Sequence, residues 1–198
     1  MATDIQAILR NLSSCYQFKD KSVIHVGAGG GQFLGYATDA RSVVAVDPEI
    51  SAVERLRAAL ALLPFRDRFT VVQGEFGTHL GAADVVFFEF CLHEIPEPRN
   101  ALRDAKLLAS DVVVIDHDPE SRWAWHTAET DKARNSWAAV HDYSVRLDRQ
   151  FTGVQRFSDV SELLQKVGCL GEPAISRANL FLNQAPIEIE TKYRIAVF

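Results

Sequence analysis

The chain has 198 residues, 47% hydrophobic and 24% charged, enough for one domain with a sizeable core and too ordinary a composition for a disordered or fibrous protein. Acidic residues outnumber basic ones, 26 to 21, and no two Lys or Arg are adjacent, so the basic footprint of a nucleic-acid binder is missing and no nucleic-acid partner is expected. Three dispersed cysteines, Cys15, Cys91 and Cys169, exclude a disulfide framework or zinc knuckle and suit a reducing compartment.

The N-terminal stretch, residues 1–20, reads as a short amphipathic helix, with Ile5, Ile8, Leu9 and Leu12 at helical spacing and Asp4 and Arg10 among them. No apolar run approaches the ~18 residues that would span a bilayer, so a cytoplasmic protein with no membrane partner is expected. VIHV (23–26) is a strand that runs into four glycines, followed by a helix of about two turns through Phe33 and Tyr36. SVVAVD (42–47) is the second strand, and Ser51 with Glu54 predicts a capping box for a helix carrying Val53, Leu56 and Leu60. FTVVQG (69–74), DVVFFEF (84–90) and DVVVID (111–116) are three more strands, with a helix over 98–109 started by Pro98.

The segment 116–157 is longer than a simple connection needs and reads as an acceptor-side insertion. It holds Trp123, Trp125 and Trp137 together with His117, His126 and His141. A helix from Ser158 to Val167, closed by Gly168, precedes two final strands, AISRANLFL (174–182) and IEIETKYRIAVF (187–198), the second alternating apolar and charged residues. Continuous apolar strands alternating with helices predict one α/β domain over 1–198, a doubly wound, mostly parallel seven-stranded sheet with helices on both faces. The tail predicts an antiparallel strand pair at its end.

A strand ending in glycines and leading into a helix places bare backbone beside the crevice at the strands' carboxyl ends. Between Lys21 and Arg41 there is no Lys or Arg, which excludes a P-loop. Gln32 occupies the third glycine position of a GxGxxG fingerprint, which weakens a nicotinamide dinucleotide. The pattern GxGxG is satisfied by Gly27, Gly29 and Gly31, and Asp47, about 20 positions on, is placed to chelate ribose hydroxyls.

With these motifs on the page, the chain resembles the class I S-adenosylmethionine-dependent methyltransferases. VIHVGAGGG matches their first strand and loop except at His25, where the family carries an acidic residue. Asp47 in VVAVDPE matches the ribose ligand, Glu75 in VVQGEF the residue near adenine, and DVVFFEFCLHEIPEP the fourth strand and its loop.

The resemblance implies S-adenosyl-L-methionine as cofactor, S-adenosyl-L-homocysteine as product, and in-line transfer of a methyl group. It assigns His25, Gly27, Ala28, Gly29, Gly31, Asp47, Pro48, Glu75, Phe76 and Glu89 to the cofactor. His93, His117 and His141 are the candidates for catalysis, and Cys91 has nothing beside it that singles it out as a nucleophile. The spacing of Asp116, His117 and His141 is not a compact ligand motif, and no metal is expected. The LHEIPEP loop is most similar to enzymes of the quinone- and natural-product-methylating type, so a small-molecule acceptor is expected. The residues leave open a carrier-bound or protein acceptor, a non-catalytic binding protein, and the oligomeric state, a homodimer among the choices.

Overall fold

The computed structural model describes residues 4–198; positions 1–3 of the expected N-terminal segment lie outside the described residues. The first helix, α1 (Ile5–Cys15), starts where the Asp4 carboxylate accepts the Ala7 N–H at 2.8 Å. Its buried stripe is Ile8 and Leu12. Seven strands follow: β1 (Ser22–Val26), β2 (Ser42–Asp47), β3 (Phe69–Gln73), β4 (Ala83–Glu89), β5 (Ala109–His117), β6 (Leu147–Phe157) and β7 (Ile187–Val197). They form one sheet in the order β3-β2-β1-β4-β5-β7-β6, parallel except for β7, which runs against both β5 and β6.

Period-two alternation divides the side chains of the central strands between two cores. Val23, Val85 and Phe87 join Ile8, Leu12 and, from α2 (Ile50–Leu60), Leu56 on one face. Ile24, Val86 and Phe88 join Leu102 of α3 (Pro98–Leu108) on the other. That face also takes Trp137 of α5 (Thr130–Val140). Because helices cover both faces, the central strands are mostly continuous apolar runs, and burial of each large side chain contributes about 1.5–3 kcal/mol. A third, smaller cluster lies beneath α4 (Arg122–His126), α6 (Val160–Val167) and α7 (Glu172–Ala178).

Several local expectations are corrected. The two-turn helix through Phe33 and Tyr36 is one 3-10 turn, Leu34–Ala37. The Ser51–Glu54 capping box does not form, because α2 begins one residue before Ser51, with Glu49 as its cap and no side-chain cap bond. AISRANLFL is not a strand. Gly171, in the left-handed region at φ +91, and Pro173 start α7 there, and Ala174 and Ala178, one helical turn apart, pack into the third cluster. Gly168 does cap α6 as expected, in the right-handed region at φ −60, where it also opens a 3-10 turn.

The sixth strand is β6, an edge strand whose polar run LDRQFTGVQRF hides it from an apolar pattern. It takes residues 147–157 out of the expected insertion and into the sheet, with Phe151 opposite Tyr193 and Phe157 opposite Ile187. The remainder of that segment is two helices, broken at Ala128, whose φ is +63. Among the described residues no helix is long and apolar enough to cross a membrane.

Candidate functional site

The chain leaves β1 for β2 and β3 on one side, then crosses to β4 on the other. This reversal opens a crevice outside the carboxyl ends of β1 and β4, where doubly wound sheets take their ligands. A cavity of about 1020 Å³ occupies it. The glycine loop is its floor, and two of its glycines have a steric reason. A Cβ on Gly27, at φ +71, would stand 2.4 Å from Cys91 Cβ, while one on Gly31, at φ +78, would press on Leu34, Leu56 and Ala59 at 3.0–3.2 Å. The loop is thus clamped between the end of β4 and α2. Asp47, mostly buried at the end of β2, accepts the Gly29 N–H at 2.9 Å and the Glu49 N–H at 3.0 Å. One carboxylate fixes both sides of the cradle.

Of the residues expected to hold the cofactor, Gly27, Gly29, Asp47, Pro48, Glu75, Phe76 and Glu89 line the cavity. Ala28 is fully buried and Gly31 packs under α2, so these two shape the loop from behind. His25 is also behind the wall, fully buried, with its ring stacked on Phe87 at 4.9 Å and edge-on to Tyr36 at 5.2 Å. Its Nε2 lies 2.7 Å from Glu89 Oε2. Burial pushes the Glu89 carboxyl up, against the pull of His25. Thus where β1 lacks the family's acidic side chain, β4 brings a carboxylate to the same histidine, with the Glu89 side at the cavity.

The three catalytic candidates separate. His117 lines the cavity, and burial, set against the nearby Asp116 charge, lowers its pKa to about 4, so its imidazole is neutral. Its main-chain carbonyl accepts the Trp137 indole N–H at 2.8 Å, which anchors α5 beneath it. His93 is buried next to the cavity wall, its ring 5.4 Å from that of His117. The wholly buried Asp116 accepts from both the His93 main-chain N–H, at 2.9 Å, and His93 Nδ1, at 2.6 Å. The far nitrogen, Nε2, stands 3.7 Å from Glu129 Oε1. Burial disfavours the His93 charge, but Asp116 and Glu129 outweigh it and raise its pKa to about 10. His141 is the correction: it sits at the C-terminus of α5, about half exposed, paired with Asp148 at 3.0 Å, and it does not line the cavity.

Cys91 packs on Gly27 and donates its thiol to the Val26 carbonyl at 3.2 Å. Burial raises its pKa well above the ordinary value, which removes the thiolate. Of the tryptophans of the expected acceptor-side insertion, Trp123 lines the cavity and stacks on Phe157, while Trp125 is partly exposed under the Arg177 guanidinium. Sequence reasoning missed Phe90, Glu129 and Tyr193. Phe90 lines the cavity in the left-handed region at φ +44, a conformation that costs a non-glycine residue about 1–2 kcal/mol. No residue type or spacing marks it; Tyr193 was at least on the inward side of an alternating strand.

Residues 24–115 match the family profile described as a methyltransferase domain, and a methyltransferase is the class that this strand order, glycine loop and acidic second strand define. Over those residues the chain is similar to the methyltransferase-domain family, and it shares its fold, over nearly its whole length, with solved S-adenosylmethionine-dependent methyltransferases. No curated protein shows significant sequence similarity to it. Among solved structures it is similar to the YcgJ protein of Bacillus subtilis, at 14% identity over 98% of this chain and 96% of that one, with a TM-score of 0.66. An S-adenosylmethionine-dependent methyltransferase of Aquifex aeolicus gives 17% identity, coverage of 98% and 89%, and a TM-score of 0.59. A precorrin 8W decarboxylase of Methanobacterium thermoautotrophicum gives 13%, coverage of 100% and 90%, and 0.60. Likeness at these identities concerns the fold, which hosts more than one reaction.

Proposed function

We propose that the enzyme moves the methyl group of S-adenosylmethionine to a small-molecule acceptor held in the same cavity, at the ends of β4 and β5. The observation that carries this reading is continuity. One cavity reaches from Gly27, Asp47 and Glu75 past Glu89 to Glu94, His117 and Trp123. Its volume is at the top of the range of about 300–1,000 Å³ for ligand sites, which supports two small ligands side by side.

In this reading Gly27 and Gly29 present backbone to the cofactor, with Ala28 and Gly31 holding the loop's shape. Asp47 and Pro48 take the ribose, Glu75 and Phe76 the adenine. Glu89, steadied by His25, faces the cationic methionine end. The fit is electrostatic as well as steric, because the loop carries no Lys or Arg and the cavity's carboxylates outnumber Arg55 and Lys166. The cofactor supplies a methyl group already activated by its sulfonium charge. The chain's task is then alignment, which can be worth roughly 7–11 kcal/mol. His117, neutral and on the wall, is the imidazole that reaches the acceptor; His93 acts from behind it, and His141 takes no part.

Calorimetry with S-adenosylmethionine, S-adenosylhomocysteine and NAD(H) tests the cofactor half, and binding of NAD(H) alone would overturn it. Incubation with methyl-labelled cofactor and cell extract tests the acceptor. Label in the low-molecular-weight fraction is expected; label confined to protein would replace the small molecule with a macromolecular acceptor.

A further inference from the structure

Behind the acceptor end lies a group of side chains whose donor atoms converge on one another. His93 and Glu94 stand in the 3-10 turn after β4, and Glu129 stands just before α5. Their donor atoms, one imidazole nitrogen and two carboxylate oxygens, all lie within 4.8 Å of one another. We propose that His93, Glu94 and Glu129 form a divalent-cation site on the acceptor side of the cavity, with Asp116 orienting the histidine from behind.

Three observations point this way. The first is that His93 is only 5% exposed, and its Nε2 has no hydrogen-bond partner among the described residues, although it is aimed at Glu129. Their 3.7 Å separation is too long for a hydrogen bond. It is the spacing of two donors that share one ion at roughly 2.0–2.2 Å from each.

The second is orientation. Asp116 accepts from Nδ1 at 2.6 Å, which leaves Nε2 for a cation, the carboxylate–histidine arrangement that fixes the tautomer of metal-bound imidazoles. Asp116 is itself immobilised, because it also accepts the main-chain N–H groups of His93 and His117.

The third is charge. Asp116, Glu94 and Glu129 bring three carboxyl groups to one imidazole. Glu94 is exposed and also lines the cavity, so the site has an entry path and open coordination positions beside the acceptor.

One imidazole with two carboxylates suits Mn²⁺ or Zn²⁺ better than Mg²⁺ or Ca²⁺, which favour all-oxygen sites. An ion there would polarise an acceptor oxygen and lower the pKa of its hydroxyl. That role rests on the proposed acceptor position; ion binding does not, and is tested without cofactor.

The experiment is titration of untagged, chelator-treated protein with Mn²⁺, followed by paramagnetic resonance, and with Zn²⁺ by calorimetry, Mg²⁺ serving as the comparison. One saturable site is expected, with affinity falling at least tenfold in Glu94→Gln and binding lost in His93→Gln and Glu129→Gln. Where the buried variants fail to fold, as judged by circular dichroism, the exposed Glu94→Gln decides. No saturable binding of either ion, or binding unchanged in Glu94→Gln, would overturn the site. S-adenosylhomocysteine affinity measured on the same samples separates this outcome from failure of the cofactor assignment.

Discussion

The two ends of the cavity are built from different materials. Toward β1 and β2 the wall is backbone, with glycines folded tightly against Cys91 and α2 and one carboxylate, Asp47, tied to main-chain N–H groups. Toward β4 and β5 it is side chain, with a buried cluster of Asp116, His93 and Glu129 whose charges hold one another. In the proposed reading the first end meets the constant donor by shape, and the second meets the acceptor with titratable side chains.

The largest expected effect falls on the rigid end. Gly27→Ala combines a left-handed φ with a Cβ only 2.4 Å from that of Cys91 and is expected to cost about 2–5 kcal/mol, read as a lower Tm with loss of S-adenosylhomocysteine binding. Adding Cys91→Gly should restore part of the stability. Were it to restore none, the overlap would not be why glycine stands there.

Asp47→Ala tests whether the two ends are independent. It should weaken S-adenosylhomocysteine binding about 10- to 100-fold, the worth of charge-assisted hydrogen bonds, while Mn²⁺ affinity stays within twofold. Loss of both would mean that the ends fold as one unit.

His25→Asp sharpens the comparison at the seam. It restores the family's acidic residue but sets it against Glu89, which already lies 2.7 Å from this side chain. Two buried carboxyl groups there cannot both ionise, so we expect a lower Tm than wild type at neutral pH, recovering as pH falls and one carboxyl takes up a proton. A Tm equal to wild type at pH 7 would show that Glu89 moves away.

The smallest effect is expected outside the cavity. His141→Asn removes a surface partner of Asp148 and should change stability by less than about 1 kcal/mol and leave methyl transfer unchanged. Burial works against the Asp148 charge, yet Arg194 and His141 keep its pKa below the ordinary value. Its contribution is therefore present above the usual aspartate range and lost as pH falls through the folded value, below about pH 4. Thermal scans between pH 3 and 7 should show a shallower acid decline in Asp148→Asn.

The same division decides what the sequence reveals. The cofactor end was legible because its parts are local: Gly27 to Gly31 directly follow a buried strand, and Asp47 closes the next one. The four central strands, β2, β1, β4 and β5, were legible because burial on both faces demands apolar runs. The polar strand β6 gave no such run, and α7 was misread because the apolar letters of AISRANLFL outweigh the Gly171–Glu172–Pro173 start that makes it helical. At the acceptor end His93, Asp116 and Glu129 come from three separate segments, and their juxtaposition exists only in the fold. The spacing rule that argued against a metal applies to ligands on one helix, not to a turn, a strand end and a helix entry brought together by β4 and β5.

The arrangement of the cysteines makes the difference between the ends experimentally accessible. Cys91 is sealed beneath the glycine loop, whereas Cys169 is exposed and stands at the cavity rim near Lys166 and Trp123. A maleimide dye would therefore be carried by Cys169, and by the partly shielded Cys15 unless that residue is first changed to Ser. With Cys15 changed to Ser, Cys169 so provides a place for a fluorescence reporter on the cavity, one whose emission would register what enters.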